Sequence, residues 1–302
     1  MSVLFRFDQH IVAGKICENT GEIRVVIRVL AAKVRVQRIK SLDKLTTYRN
    51  YEIIVVDNGS SDENKAKYAE LVSSVKGKYI YEPSEFNFSK MCNRGVAEAS
   101  GEFLLFLNDD IEVIDPIWLQ RMVGHAELPY IGAVGAKLMY PENGLIQHCG
   151  VTNLSEAGPV HSFIGKTDAE LWYFIRNRIE YDWLAVTAAC LLVDRKKFDE
   201  VGGFNEDLAV AFNDVDFCFK LHEAGYYNVV RADAVLTHFE SVSRGHDGLD
   251  EKKLQRLNSE KENLYSMHPD LRGKDPFYNP NLTGVLADFS CDSMLIEPDE
   301  NE

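Results

Sequence analysis

Two apolar runs that do not alternate with polar residues constrain this chain most. One is IIVV within YEIIVVDNGSSD (51–62); the other is FLLFL within GEFLLFLNDDIEV (101–113). A strand with one wet face alternates, whereas a strand apolar at every position is covered on both faces, as in parallel sheets sandwiched between helices. Around these runs, short apolar segments alternate with amphipathic stretches in the manner of β-α-β units. Strands are predicted at 52–56, 78–81, 103–107, 133–138, 188–193 and 227–230, with 25–30 as the first, and helices at 62–75, 88–99, 116–127, 195–201 and 215–224. Asp115-Pro116 reads as a cap with a pre-set first turn, and Gly101 and Gly225 are expected to close helices in the left-handed conformation. The expected fold class is α/β: a mainly parallel central sheet flanked by helices.

The chain has 302 residues, 45% of them hydrophobic, enough for one large domain with an appendage. Its formal net charge of -14 argues against nucleic acid as a partner, because counterion release needs a basic face. Six cysteines lie scattered with no C-x-x-C pair, so neither a zinc knuckle nor a disulfide framework is indicated. No stretch approaches the roughly 20 apolar residues of a membrane span, and the first residues, MSVLFRFDQHIVAGK, do not read as a secretion signal. A cytoplasmic location is expected. Residues 249–268 read as one polar amphipathic helix, and the closing EPDENE as disordered.

Four segments can carry chemistry. Asp57 ends the first apolar run, where ligands of parallel sheets sit, so it can contact a base or ribose; the alternative is a turn that Asp57 and Ser61 merely cap. The second run ends in Asn108-Asp109-Asp110. Adjacent carboxylates repel unless a cation lies by them, and hard divalent ions prefer oxygen ligands, against the alternative of a solvated acidic turn. In FNDVDFCFKLHEAGY, Asp214 and Asp216 open a helix with Phe217, Leu221 and Ala224 as its apolar stripe. Either they only complement the helix dipole, or Asp214 takes a proton from a hydroxyl. In LTHFESVSRG, His238 is either a hydrogen-bonded structural residue or a ligand for an ion such as Mn²⁺, and Arg244 either grips a phosphate or forms a surface ion pair.

The order of these segments, with FNFSKMCNRGVAEAS, LIQHCGV and VTAACLLVDRKKFDEVGGFNE between them, resembles glycosyltransferase family 2, in the branch that builds O-antigens, rhamnans and related polysaccharides. The likeness covers about residues 50–245, with a fainter echo in DPFYNPNLT (275–283). The resemblance implies a GT-A fold over residues 21–246, preceded by an extension (1–20) and followed by a helix and polar tail (247–302). It implies a nucleotide-diphospho-sugar donor and a divalent metal, Mn²⁺ or Mg²⁺. By the same token Asp57 contacts the base, Asn93 lies along the nucleotide pocket, and Asn108 and Asp109 stand in the D-x-D motif with Asn in first place. Asp110 becomes the main metal ligand, His238 completes the metal site, Asp214 is the catalytic base of an inverting transfer, and residues 183–189 wall the acceptor side. The implied acceptor is a hydroxyl of a surface polysaccharide or lipid-linked glycan, which is compatible with peripheral association at the inner face of the membrane.

The family's usual first strand, of the form V-S-I-I-I-P-T, is replaced here by RVVIRVLAAKVRVQRIKSL (24–42), which lacks proline and carries Arg28, Lys33, Arg35, Arg38 and Lys40. That departure defines the rival reading, a degenerate GT-A module that binds nucleotide-sugar without turnover. Nucleotidyl transfer, a second rival, needs a Gly-rich triphosphate loop after the first strand, and none is present.

Overall fold

The computed structural model describes residues 25–31, 36–239 and 251–291. The predicted first strand is β1 (Val25–Ala31), and a helix absent from the sequence reading, α1 (Val36–Leu45), follows it. Next come β2 (Tyr51–Asp57), α2 (Asp62–Ser74), β3 (Lys78–Tyr81), α3 (Phe88–Ala97) and β4 (Phe103–Asn108). Then follow β5 (Ile111–Val113), α4 (Trp118–Ala126), β6 (Ile131–Met139), β7 (Ile146–His148), β8 (Val151–Leu154), β9 (Gly158–His161) and β10 (Tyr181–Trp183). The remainder is β11 (Cys190–Asp194), α5 (Arg195–Glu200), α6 (Asn213–Glu223), β12 (Tyr227–His238), α7 (Glu251–Met267) and a short 3-10 turn, Pro269–Leu271.

The main sheet runs β10-β12-β6-β11-β4-β1-β2-β3, with β5 on β12 and β7 on β6; β8 and β9 form a separate hairpin. From β4 to β3 every pairing is parallel, in keeping with the two unbroken apolar runs. On the other side β11 is antiparallel to both β4 and β6, while β12 is parallel to β6. Two reversals restore the direction, so β2, β4, β6 and β12 all point their carboxyl ends to one edge.

Both faces of the sheet are packed. Ile54, Val56, Leu104 and Phe106 join one buried cluster with Phe88, Met91, Phe198, Phe204 and Phe217. The intervening Ile53, Val55, Leu105 and Leu107 join another with Tyr68, Leu71, Trp118 and Leu119. Each large apolar side chain withdrawn in this way contributes about 1.5–3 kcal/mol.

Local punctuation follows the sequence in part. Ser61 and Asn87 cap α2 and α3 through their side chains, and Gly225 takes φ +92 just past α6. Two expectations are corrected. Helix α4 starts at Trp118 with Ile117 in the cap position, and the Asp115 carboxylate instead closes the turn before it, accepting from the Ile117 N–H (3.1 Å) and pairing with Arg121. Gly101 is not among the glycines with positive φ; α3 already ends at Ala97 with Glu98 as its cap.

The carboxyl-terminal segment packs on the main body. Leu264, Tyr265, Leu271, Leu282 and Phe289 belong to the same buried cluster as Phe163 and Trp183. Asn153 of β8 ties it down: its Nδ2 donates to the carbonyls of Leu271 and Lys274, its backbone N–H donates to Asp275 Oδ2, and the Tyr265 hydroxyl donates to its Oδ1. Burial pushes the Asp275 carboxyl up to about 6, against the backbone N–H bonds that favour its charged form. The divisions at 21, 246 and 247 stay an expectation; residues 1–20 and the EPDENE tail lie outside the described residues.

His268 provides a second tie, buried between Asp216 Oδ1 (3.0 Å from Nε2) and Glu223 Oε1 (2.9 Å from Nδ1). Burial works against its charge, but the two carboxylates outweigh burial and raise its pKa. A group that binds its proton more tightly folded than unfolded stabilises fully below the unfolded value of about 6.5, and that stabilisation is lost as pH rises through the raised folded value. The urea midpoint should therefore fall from pH 6 toward alkaline pH, and His268→Gln should lower the pH 6 midpoint and flatten this decline. An unchanged slope in the variant would assign the pH dependence elsewhere.

Candidate active site at the carboxyl edge of the sheet

Asp57, Asn108 and His238 are the last residues of β2, β4 and β12, so the topology delivers all three to one edge. After Asn108 the chain turns through Asp109 and Asp110 and returns as β5, which pairs antiparallel with β12 so that Ile111 stands opposite His238. The Phe239 N–H donates to the Asp110 carbonyl at 3.0 Å. This ladder holds Asp110 Oδ1 2.9 Å from His238 Nε2, with Asn108 Nδ2 3.5 Å from the same nitrogen. His238 Nδ1 lies 2.7 Å from Gln147 Oε1. Since a carbonyl oxygen only accepts, His238 Nδ1 donates to Gln147, and Nε2 is the ring nitrogen that faces the Asp110 carboxylate.

An imidazole nitrogen and a carboxylate oxygen at this distance can share a cation. An ion held at about 2.1 Å by two ligands at right angles keeps them about 3 Å apart. Among the described residues no three His, Cys, Asp or Glu side chains form a metal cluster. A pair is sufficient for an ion such as Mg²⁺, which takes one or two protein ligands and completes its shell with water and substrate phosphates. The residues present therefore fit a divalent metal.

Asp214 reaches the same edge through the backbone. Its Oδ2 accepts from the Ala188 N–H (3.0 Å) and its Oδ1 from the Val215 N–H (2.9 Å). The next carbonyl, that of Ala189, accepts from the Asn108 N–H at 2.9 Å. The preceding Thr187 N–H points to His148 Nε2 at 3.4 Å. Residues 187–189 thus bind β4, α6 and β7 in three consecutive steps. Asp214 is only partly buried, whereas Trp183, Leu184 and Ala185, which precede the 187–189 segment, are buried. The Trp183 ring lies on Gly150, which has φ +101 and where a Cβ would come within 2.1 Å of the indole; only glycine fits.

Asp57 and Asn93 are engaged otherwise. Asp57 is fully buried; Oδ1 accepts from the Gly59 and Ser60 N–H groups (3.0 and 2.9 Å), and Oδ2 from the Tyr79 hydroxyl at 2.5 Å. Burial, then this bond, pushes the Tyr79 hydroxyl well up. Asp57 therefore shapes the 57–60 turn from within. Asn93 clamps the segment after α5, donating to the Phe204 carbonyl (2.9 Å) and Glu206 Oε1 (3.0 Å) and accepting from the Phe204 N–H (3.1 Å). Asp109 lies in the turn beside Asp110, while Glu240, Ser243 and Arg244 fall outside the described residues. Gln147 and His148, quoted in LIQHCGV without a role, are the residues that sequence reading missed. A cavity of about 240 Å³ lined by His125, Tyr130, Glu180 and Asp182 lies where β6 and β12 begin, at the opposite edge, and is not this site.

The Glycosyl transferase family 2 model matches residues 30–202, more than half of the chain. The chain belongs to glycosyl transferase family 2. Within the family it is 40% identical over 258 residues to the uncharacterized protein y4gI of Sinorhizobium fredii (strain NBRC 101917 / NGR234), covering 84% of this chain and 28% of that protein. It is 35% identical over 264 residues to the O-antigen biosynthesis protein RfbC of Myxococcus xanthus, covering 83% of this chain and 19% of that protein. This family 2 chain thus spans less than a third of either relative. Among solved structures, the mannosyltransferase PcManGT from Pyrobaculum calidifontis, solved with GDP-Man and Mn²⁺, superposes with a TM-score of 0.56 at 14% identity, over 83% of this chain and 72% of that one. The fold is GT-A, with a mixed central sheet between helices.

Proposed function

We infer that this chain is an inverting, metal-dependent glycosyltransferase that moves a sugar from a nucleotide diphosphate to a hydroxyl of a surface polysaccharide or lipid-linked glycan. The observation that carries the reading is the assembly at one sheet edge of the Asp110–His238 pair, Asn108, and Asp214 anchored on residues 187–189. Asp110 and His238 would hold the divalent ion, which supplies charge neutralisation for the departing diphosphate. Asn108 and Asp109 stand beside this pair on the nucleotide side. The 57–60 turn shaped by Asp57 forms the base-contacting rim, and Asn93 supports that pocket by fixing residues 204–206. Asp214 accepts the proton of the acceptor hydroxyl as its oxygen bonds to the anomeric carbon. The bond from that carbon to the diphosphate breaks with inversion, and the proton leaves Asp214 for solvent. Fixed backbone bonds keep Asp214 in place, so positioning supplies much of the rate. Residues 21–246 constitute the catalytic unit, and His268 in the segment that follows braces α6. No helix among the described residues is long and apolar enough to cross a membrane. A cytoplasmic setting, at the inner face of the membrane when the acceptor is lipid-linked, suits this chemistry.

The test is thermal unfolding with UDP, GDP, CDP or dTDP, each with Mn²⁺ or EDTA, followed by nucleotide release from the matching sugar donors. A ligand at a hundred times its dissociation constant adds about 2.7 kcal/mol of apparent stability. One nucleotide should shift the midpoint only with Mn²⁺ present, and its sugar donor should be turned over on a hydroxyl acceptor. Binding without turnover would favour the non-catalytic module, and no shift in any arm would overturn the reading.

A further inference from the structure

We propose that Gln147 is a positioning residue that fixes the tautomer and direction of His238, so that Nε2 faces the metal site; this rests on the metal site inferred above. Two features single Gln147 out. The first is its place in the sheet: in the β6–β7 pairing Leu138 stands opposite His148 and Met139 opposite Ile146, which leaves Gln147 as the extra residue of a bulge. A bulge re-aims a side chain that a regular ladder would direct elsewhere. The second is that both ends of Gln147 are engaged while it is 1% exposed. Its backbone carbonyl accepts from His161 Nδ1 at 3.3 Å, and its side-chain Oε1 accepts from His238 Nδ1 at 2.7 Å.

The consequence is electronic as well as geometric. An imidazole has one nitrogen that donates and one that coordinates, and the partner of the first decides the identity of the second. With Gln147 on Nδ1, the coordinating nitrogen is the one 2.9 Å from Asp110. His148, next along the bulged strand, is not interchangeable with His238. Its Nε2 is taken by the Gly150 and Thr187 N–H groups, and burial, followed by the nearby His161 and His238, holds its pKa well below the ordinary value.

The experiment compares wild type, Gln147→Met, Gln147→Glu and His238→Ala. Methionine fills the same space without the acceptor; glutamate keeps one. Mn²⁺ affinity is read by the electron paramagnetic resonance of free ion in the presence of a nucleoside diphosphate. The His238 tautomer is read in metal-free protein by long-range ¹H–¹⁵N spectra. Expected are an Nδ1–H tautomer in wild type, loss of that preference in Gln147→Met with about 10–100-fold weaker Mn²⁺ binding, and near wild-type affinity in Gln147→Glu. Unfolding midpoints in EDTA verify that each variant folds. Wild-type affinity and tautomer in Gln147→Met, with His238→Ala losing the ion, overturn this proposal alone. Mn²⁺ affinity unchanged in His238→Ala overturns the metal-site reading and this proposal together.

Discussion

Asp214→Asn is expected to lower saturated sugar transfer by about 10²–10⁴-fold, the range that a positioned general base contributes, while Mn²⁺-dependent nucleotide binding persists. The amide keeps the size of the side chain but not its proton affinity. It also brings one structural consequence. Asp214 accepts from Ala188 N–H through one oxygen and from Val215 N–H through the other, so an NH₂ group at either place faces a donor. An N–H left without an acceptor costs about 1–3 kcal/mol, which should appear as a lower urea midpoint with the native fold retained at low denaturant. Stability and rate are thus separable: the fall in kcat should far exceed any loss of folded protein. Full transfer in this variant would exclude Asp214 as the base.

Asp110→Asn is expected to act on the other half of the reaction. A metal that neutralises a leaving diphosphate is worth several kcal/mol, so transfer should fall by about 10³-fold, and the Mn²⁺-dependent rise in nucleotide affinity should disappear with it. The fold should be spared, because the bond from Phe239 N–H uses the Asp110 backbone carbonyl, which the substitution leaves in place. The two variants therefore predict opposite patterns: Asp214→Asn binds without turning over, whereas Asp110→Asn loses metal-dependent binding and transfer together. A variant at Asp110 that still takes Mn²⁺ with wild-type affinity would place the ion elsewhere.

Much of this arrangement was legible in the chain itself. Strands β2 and β4 announced themselves because both of their faces are covered, which removes the polar alternation that would otherwise blur a strand against a helix. Their ends, Asp57 and Asn108 to Asp110, could be located for the same reason. Strands β7, β8, β9 and β10 could not, since three or four residues carry too little period to stand out from the turns around them. Gln147 was hidden by that blindness: a glutamine in a short unassigned stretch resembles a solvent-facing residue, and only the bulge and the His238 ring explain its burial. Asp57 and Asn93 show a different limit. Sequence position located them, but the Tyr79 hydroxyl and the Phe204 backbone that occupy them come from other elements. The expected GT-A architecture was found despite the unusual residues 24–42, because β1 needs only extended apolar backbone to pair with β2 and β4.

Strands β5 and β12 are hydrogen-bonded neighbours, and the spacing between Asp110 and His238 is inherited from that ladder. It is accordingly a property of the scaffold. Segment 162–180, which connects β9 to β10, is tied into that scaffold by the buried Phe163, by the Lys137–Asp168 ion pair and by the backbone bonds of Ile146 to Gly165 and Lys166, so a change in its length is felt at β7 and Gln147 before it is felt between Asp110 and His238.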